Sequence, residues 1–350
     1  MTFFLRIFSV LIVSFAGVLQ AQGFNVLFLF SGHSDLPWQK QISAGVEQQL
    51  ALYADKKGYQ ANVYSEHLDL YRKPAVPGDQ RLLKIQQKYA DIEFDFILTE
   101  ATLAAQLVLD TPGFYPKLST YAKPEIINFN DQGVGRGNNV TSNLQLQNLT
   151  KIIQQLKPDF KRLVIIGNFS PRVNQKLLQL VAQQMNHKAE VWDDFSFEEL
   201  MQRAASLGPD DVIIYSLVAR DNTGKGFIPK QVLKDLVKSS AAPVFVYYDV
   251  LMGSGAVGGY LLSGHKVGRR LVDIVYTPTL NFSQQGFSYC GFDSAALDKY
   301  KIDRDRLPNG SFIDREPQHG FWAQLIYDLF NKAQNESQLD RICMANSLTD

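Results

Sequence analysis

Cysteine is scarce, with two in 350 residues. That excludes a disulfide scaffold and a four-cysteine zinc site. Surplus charge is missing too: 35 Lys and Arg face 35 Asp and Glu. A nucleic-acid partner held chiefly through phosphates is therefore not expected. The five histidines, at 33, 67, 187, 265 and 319, are scattered and form no i, i+4 pair. No H-E-x-x-H occurs, so no catalytic metal is expected. No G-x-S-x-G elbow marks a serine nucleophile. Beyond the N-terminus no apolar run approaches the 18–20 residues of a membrane span. Short repeats and low-complexity stretches are absent as well. What is present is 45% hydrophobic and 20% charged sequence, enough to bury large cores and to exclude disorder. The length suits about two domains of ~100–200 residues each.

The N-terminus has the layout of a secretory signal. Met1 to Arg6 carries one positive charge, Ile7 to Leu19 is almost wholly apolar, and Ala21 precedes Gln22 and Gly23. Residues 1–21 are expected to be removed, with Leu19 at the −3 position shifting the cut by a residue or two. An N-terminal membrane anchor is the alternative. No cysteine follows the apolar run, so a lipid anchor is excluded. Removal takes away Arg6 alone, leaving 34 basic against 35 acidic side chains, a balance of −1. Export places Cys290 and Cys343 in an oxidising compartment. They form either a disulfide or two buried thiols, because sequence does not fix their separation.

Along the chain, short apolar runs alternate with helical patterns. Strands are expected at 25–30, 61–65, 94–98 and 125–129, with helices at 38–56, 80–89 and from 101. The stretch 131–142, with Gly133, Gly135, Gly137, Asn138 and Asn139, breaks the pattern. The alternation then resumes. Strands are expected at 162–166, 189–192, 211–216, 244–248 and 259–262, with helices at 144–156, 175–185, 197–205, 229–238 and 267–276. After a second break at 277–286 come strands at 287–290 and 311–313 and helices near 295–300 and over 321–333. Continuous apolar strands separated by helices indicate parallel sheets covered on both faces. The expected fold is α/β, with two doubly wound Rossmann-like lobes joined by a hinge. Lobe 1 comprises 24–131 plus 287–335, lobe 2 comprises 143–276, and 132–142 and 277–286 are the crossings. In such sheets ligands sit beyond the carboxyl ends of the strands.

Two glycine motifs need separating from chemistry. Gly253-Ser254-Gly255-Ala256-Val257-Gly258 matches G-x-G-x-x-G, yet Gly259-Tyr260-Leu261-Leu262 reads as a strand where a helix should begin. A glycine-permitted turn is the better reading. Asn222-Thr223-Gly224-Lys225 resembles part of a phosphate loop. Ala219 replaces its first glycine, and Gly226 replaces the Ser or Thr that holds magnesium. No cofactor is expected.

Several segments in order carry a family resemblance. They are Leu36-Pro37-Trp38-Gln39 after the first strand, Glu66-His67-Leu68-Asp69 after the second, and Pro243-Val244-Phe245. Gly255-Ala256-Val257-Gly258-Gly259-Tyr260, Gly268 and Leu307-Pro308-Asn309-Gly310-Ser311 follow. Together they resemble the bacterial ABC-transporter substrate-binding protein family of type I periplasmic-binding fold. Related domains form extracytoplasmic parts of sensor kinases. The resemblance covers roughly Phe24 to Ala333. It implies a non-catalytic periplasmic binding protein, monomeric, that hands a small molecule to an ABC permease. A periplasmic partner of a membrane sensor kinase or cyclase is the alternative; a secreted hydrolase lacks a nucleophile motif.

A two-lobed binder needs polar groups from both walls and a flat apolar surface. Candidates from the first lobe are Ser31, His33, Ser34, Trp38 (for stacking), Thr99 and Glu100. Those from the second are Asn168, Ser216, Arg220, Tyr248 and Asp249. No catalytic or metal-binding residues are expected. Glu66 and Asp69 fit structural roles equally well.

Overall fold

The computed structural model describes residues 23–57, 60–111, 114, 125–130, 138–141, 145–168, 188–276 and 286–314. The expected signal segment 1–21, the helices at 175–185 and 321–333, and most of the break at 277–286 lie outside these residues.

The first sheet is built from β1 (Gly23–Phe30), β2 (Gln60–His67), β3 (Phe96–Glu100), β4 (Glu125–Asn130) and β5 (Asn138–Thr141). All pair in parallel in the order β2-β1-β3-β4-β5. The sequence of β1 explains its central place: Val26 to Phe30 are all buried, as a strand covered on both faces requires. Alternate residues feed two cores. Val26, Phe28 and Phe30 point toward Ile42 and Val46 of α1 (Pro37–Lys57). Leu27 and Leu29 meet α2 (Arg81–Lys88) and α3 (Ala101–Leu109) through Leu82, Ile85, Ala104 and Leu107.

The second sheet has the order β12-β11-β10-β9-β8-β6-β7. Its parallel part is β6 (Arg162–Ile166), β7 (Lys188–Trp192), β8 (Asp211–Tyr215), β9 (Val244–Val246) and β10 (Gly258–Leu262). One face is covered by α5 (Phe197–Ala205) and α6 (Pro229–Ser239). The other is covered by α4 (Gln145–Leu156) and α8 (Ser294–Lys299). A capping box starts α5, with Ser196 and Glu199 each accepting from the other's backbone N–H.

Three boundaries differ from the sequence reading. First, the glycine-rich break expected as a crossing contains β5, which extends the first sheet. Glycine and asparagine content hid a strand whose stability comes from pairing with β4 rather than from its own propensity. Second, residues 288–314, expected in the first lobe, join the second sheet. β11 (Ser288–Asp293) runs antiparallel to β10, and β12 (Phe312–Asp314) pairs with β11. Third, α7 (Gly264–Tyr276), expected in lobe 2, packs on the first sheet. Val267, Leu271, Val272, Ile274 and Val275 join the core of β1 and α1. The chain therefore passes to the first sheet at Ser263 and returns after α7.

The α1–α7 contact is backbone-close. A Cβ on Gly268 would lie 2.1 Å from the Ile42 carbonyl oxygen, and one on Gly45 would lie 2.1 Å from that of His265. The Gly253–Gly258 motif forms a turn into β10, with positive φ at Gly253, Gly255 and Gly258. A Cβ on Gly258 would fall 2.0 Å from the Gly291 carbonyl oxygen. These glycines serve the turn and the close approach of β11.

Cys290, buried on β11, is disulfide-bonded. Cys343 lies outside the described residues. Among the described residues no helix is long and apolar enough to cross a membrane.

Candidate functional site

The candidate residues cluster at the carboxyl ends of β1, β3, β6, β8 and β9. In the first lobe the organising group is Glu100, the last residue of β3 and almost fully buried. Its Oε1 accepts from Trp38 Nε1 at 2.8 Å. Its Oε2 accepts from the Ser31 N–H and from Gln39 Nε2, each at 3.2 Å. A buried carboxylate needs such donors, and charge-assisted bonds of this kind are the stronger ones. The Ser31 hydroxyl donates to the Glu100 carbonyl oxygen and accepts from the Ala104 N–H at 2.9 Å. Ser31 thereby ties the loop after β1 to the first turn of α3. Between them Ala101 holds φ +63°, a left-handed conformation that costs a residue with a Cβ.

Ser31 and Glu100 thus face inward, and what they position is Trp38. Its indole meets the Tyr248 ring edge-on, centroids 5.5 Å apart and planes at 84°. Trp38 opens α1 of the first lobe and Tyr248 follows β9 of the second, so this aromatic pair spans the two sheets. Edge-to-face packing is a favoured geometry for such rings. Tyr248 also lies against Tyr247, centroids 4.7 Å apart. The Tyr247 hydroxyl makes a short hydrogen bond with the Ser216 hydroxyl beyond β8.

Thr99 is buried within β3, between Leu29 and Asn128 in register. His33 and Ser34 occupy the turn between β1 and α1. Ser34 is exposed, and His33 Nδ1 lies 3.2 Å from Asp35 Oδ2. In the second lobe Asn168 acts as a clamp. Its Oδ1 accepts from the Ala219 and Arg220 N–H groups at 2.8 and 3.2 Å, and its Nδ2 donates to the Arg220 carbonyl at 2.8 Å. The backbone of Arg220 is fixed by these bonds while its residue surface stays exposed. The same loop is closed from within by buried Asp221, which accepts from Thr223 and Lys225.

Asp249 differs from the other carboxyls. Burial raises its pKa to about 6, against opposition from the Ser263 hydroxyl, the Gln41 amide and the Val250 and Gly264 N–H groups. Glu66 and Asp69 act structurally. Glu66 accepts from Lys88 and from the Tyr89 hydroxyl, each at 2.6 Å. Asp69, at φ +53°, pairs with Arg72 at 2.7 Å.

Sequence reasoning missed Gln39, Gln41, Tyr247, Ser263 and Gly264. A signal existed for the first two: Trp38-Gln39-Lys40-Gln41 places two amides, one residue apart, at a helix start. His67 was passed over as well. Its ring stacks on Phe30 with centroids 4.6 Å apart. Burial lowers its pKa against a hydrogen bond with the Gly32 backbone.

Two parallel-stranded lobes, linked by repeated passages and facing each other through their strand carboxyl ends, define the type I periplasmic-binding fold. The solved structures agree at the level of the fold. A ligand-free, open substrate-binding protein with adhesive properties from Clostridium difficile matches with TM-score 0.57 and 13% identity. The match covers 84% of this chain and all of that one. An ABC domain in complex with L-Trp from Streptococcus pneumoniae matches with TM-score 0.51 and 14% identity, over 81% and 96% of the two chains. No family model and no curated protein matches the chain.

Proposed function

We propose that this protein captures a small molecule between its two lobes, without catalysing a reaction, and delivers it to an ABC permease from the periplasm. The carrying observation is the Trp38–Tyr248 pair, which sets aromatic surface from both lobes at the strand carboxyl ends. Glu100 and Asn168 hold the loops on either side in fixed positions, which lowers the ordering cost of binding. The two fold neighbours support the reading: one is a substrate-binding protein and the other holds L-Trp. Export through residues 1–21 and a monomeric mature form complete the proposal.

A thermal-shift screen with amino acids, nucleosides, sugars and small acids tests it. At a hundredfold excess over the dissociation constant, binding to the native state alone adds ~2.7 kcal/mol, a readily visible shift. A flat response across all four classes counts against a binding protein. A pull-down of the mature protein against membranes then separates the partners. Recovery of a permease supports transport; recovery of a kinase or cyclase supports the sensor alternative. Intact-mass analysis of the secreted form tests export, and retention of Met1 on membrane-bound material defeats it.

A further inference from the structure

Three parts of the molecule converge on Asp249. Gln41 reaches it from α1, above the first sheet. Ser263 and the Gly264 N–H approach from the start of α7, and the Val250 N–H from its own 3-10 turn, Asp249–Leu251. Lys230, at the start of α6, is near enough to interact with it electrostatically. The first turn of α7 also carries His265 and Lys266, and Lys266 Nζ lies 5.7 Å from the centre of the Tyr289 ring. In this company two oxygens remain unsatisfied. Asp249 Oδ1 and Gln41 Oε1 are both shielded from solvent and have no hydrogen-bond partner. Gln41 Oε1 is packed close to Gly264, 2.9 Å from where a Cβ on that glycine would stand; Trp38 borders the same position at 3.1 Å. With Asp249 ionised, both of these oxygens are acceptors, and none of the donors around the carboxyl reaches either of them. Buried polar groups in that state are costly. A proton on Asp249 removes the charge and supplies an O–H.

We propose that Asp249 is a proton-operated latch between the lobes. When its carboxyl is neutral, the 248–251 segment stays seated against α1. When it ionises, that segment leaves α1, Oδ1 gains water, and the cleft opens. The inference rests on the cleft reading above and adds its regulation. The direction follows from linkage. The seated arrangement binds the Asp249 proton more tightly than a hydrated carboxyl with its ordinary value of 3.8. It therefore loses ground as pH rises from about 4 to about 6, and above that it carries the whole cost of a buried carboxylate.

The test needs no ligand. Small-angle scattering and tryptophan fluorescence are followed on the full mature protein from pH 4.5 to 8. The expected result is a radius of gyration that increases with pH, with a midpoint between about 4 and about 6, together with a change in emission as Trp38 separates from Tyr248. Asp249→Asn carries no charge and a permanent N–H donor, so it stays compact across the range. A wild-type radius that ignores pH, or an Asp249→Asn protein with an unmoved midpoint, overturns the latch. If Asp249→Asn does not fold, Gln41→Leu replaces it. Loss of the amide that steadies the seated carboxylate favours the open form once Asp249 ionises, so the radius rises further or at lower pH; an unchanged curve overturns the proposal. Compaction by a ligand at fixed pH tests the cleft separately: a protein that closes on ligand and ignores pH keeps the cleft and loses the latch.

Discussion

Glu100 shows how one buried side chain can organise the candidate site from within. Its carboxylate gathers the Ser31 N–H from the turn after β1 and the Trp38 indole and Gln39 amide from the first turn of α1. Glu100→Gln keeps the shape and places an N–H₂ where donors already point. The expected loss is about 2–3 kcal/mol of folding stability, read as a lower urea midpoint at constant slope. An unchanged midpoint would show that the three donors find water instead. Asp79 offers a pH test of the same kind. Hydrogen bonding to Arg81 holds its pKa down at about 2, and Arg81 in turn donates to the Leu68 and Lys73 carbonyls. A depressed carboxylate stabilises the fold above its unfolded value and loses that contribution as pH falls through the folded one. Asp79→Asn should therefore cost about 1–2 kcal/mol at pH 7, allowing for solvent screening. The difference from wild type should shrink toward pH 2. Equal penalties at both ends of a urea-midpoint series would refute the pairing as the cause.

At the scale of elements, the α1–α7 crossing brings two helix backbones into close contact, and it holds a helix that follows a second-sheet strand onto the first lobe. Alanine at Gly268 or Gly45 puts a methyl into a backbone carbonyl. Carbonyls cannot rotate aside as a long side chain does, so each change should cost about 2–3 kcal/mol by forcing the helices apart. The double variant should cost less than the sum, because the first change already creates space for the second. Strict additivity in chemical denaturation would mean that the two contacts are independent. Which elements exist was largely legible in the residues. The runs Val26–Phe30 and Arg162–Ile166, and the Ser196–Glu199 cap, identify themselves by local pattern. Where an element docks was not. α7 carries apolar residues that fit either lobe, and only the close approach permitted by Gly268 and Gly45 sends it to α1. β5 is a strand because of its pairing with β4, which its own residues do not announce. The site followed the same division. Strand-end position selected Trp38, Glu100, Tyr248 and Asp249, but which of these face a neighbour and which face the cleft depends on pairings across the sheets.

Over the whole molecule, the passages between lobes decide how binding and motion are coupled. The chain leaves the second sheet at Ser263, is fixed to α1 by α7, and returns as β11, whose Cys290 is disulfide-bonded. Ser263 is therefore one of the points at which rotation of one lobe against the other must be taken up, while α7 moves with the first lobe. Under the proposed function, a molecule held between the lobes gains contacts from both walls in the closed form alone and so shifts the population toward closure. Trp38 stands at the centre of this coupling. One side of its role is structural, through Glu100 and the core of α1 and α7; the other is the face it shares with Tyr248. Trp38→Ala separates the two when melting temperature and affinity are measured on the same protein with a ligand from the thermal-shift screen. If the ring contacts ligand, affinity falls by about 1–3 kcal/mol within the folded fraction. A purely structural tryptophan lowers the melting temperature and leaves that affinity intact. Scattering completes the test: wild-type protein should lose radius at saturating ligand, and Trp38→Ala should lose less. An unchanged wild-type radius at saturation would remove closure from the mechanism and leave binding to a static cleft.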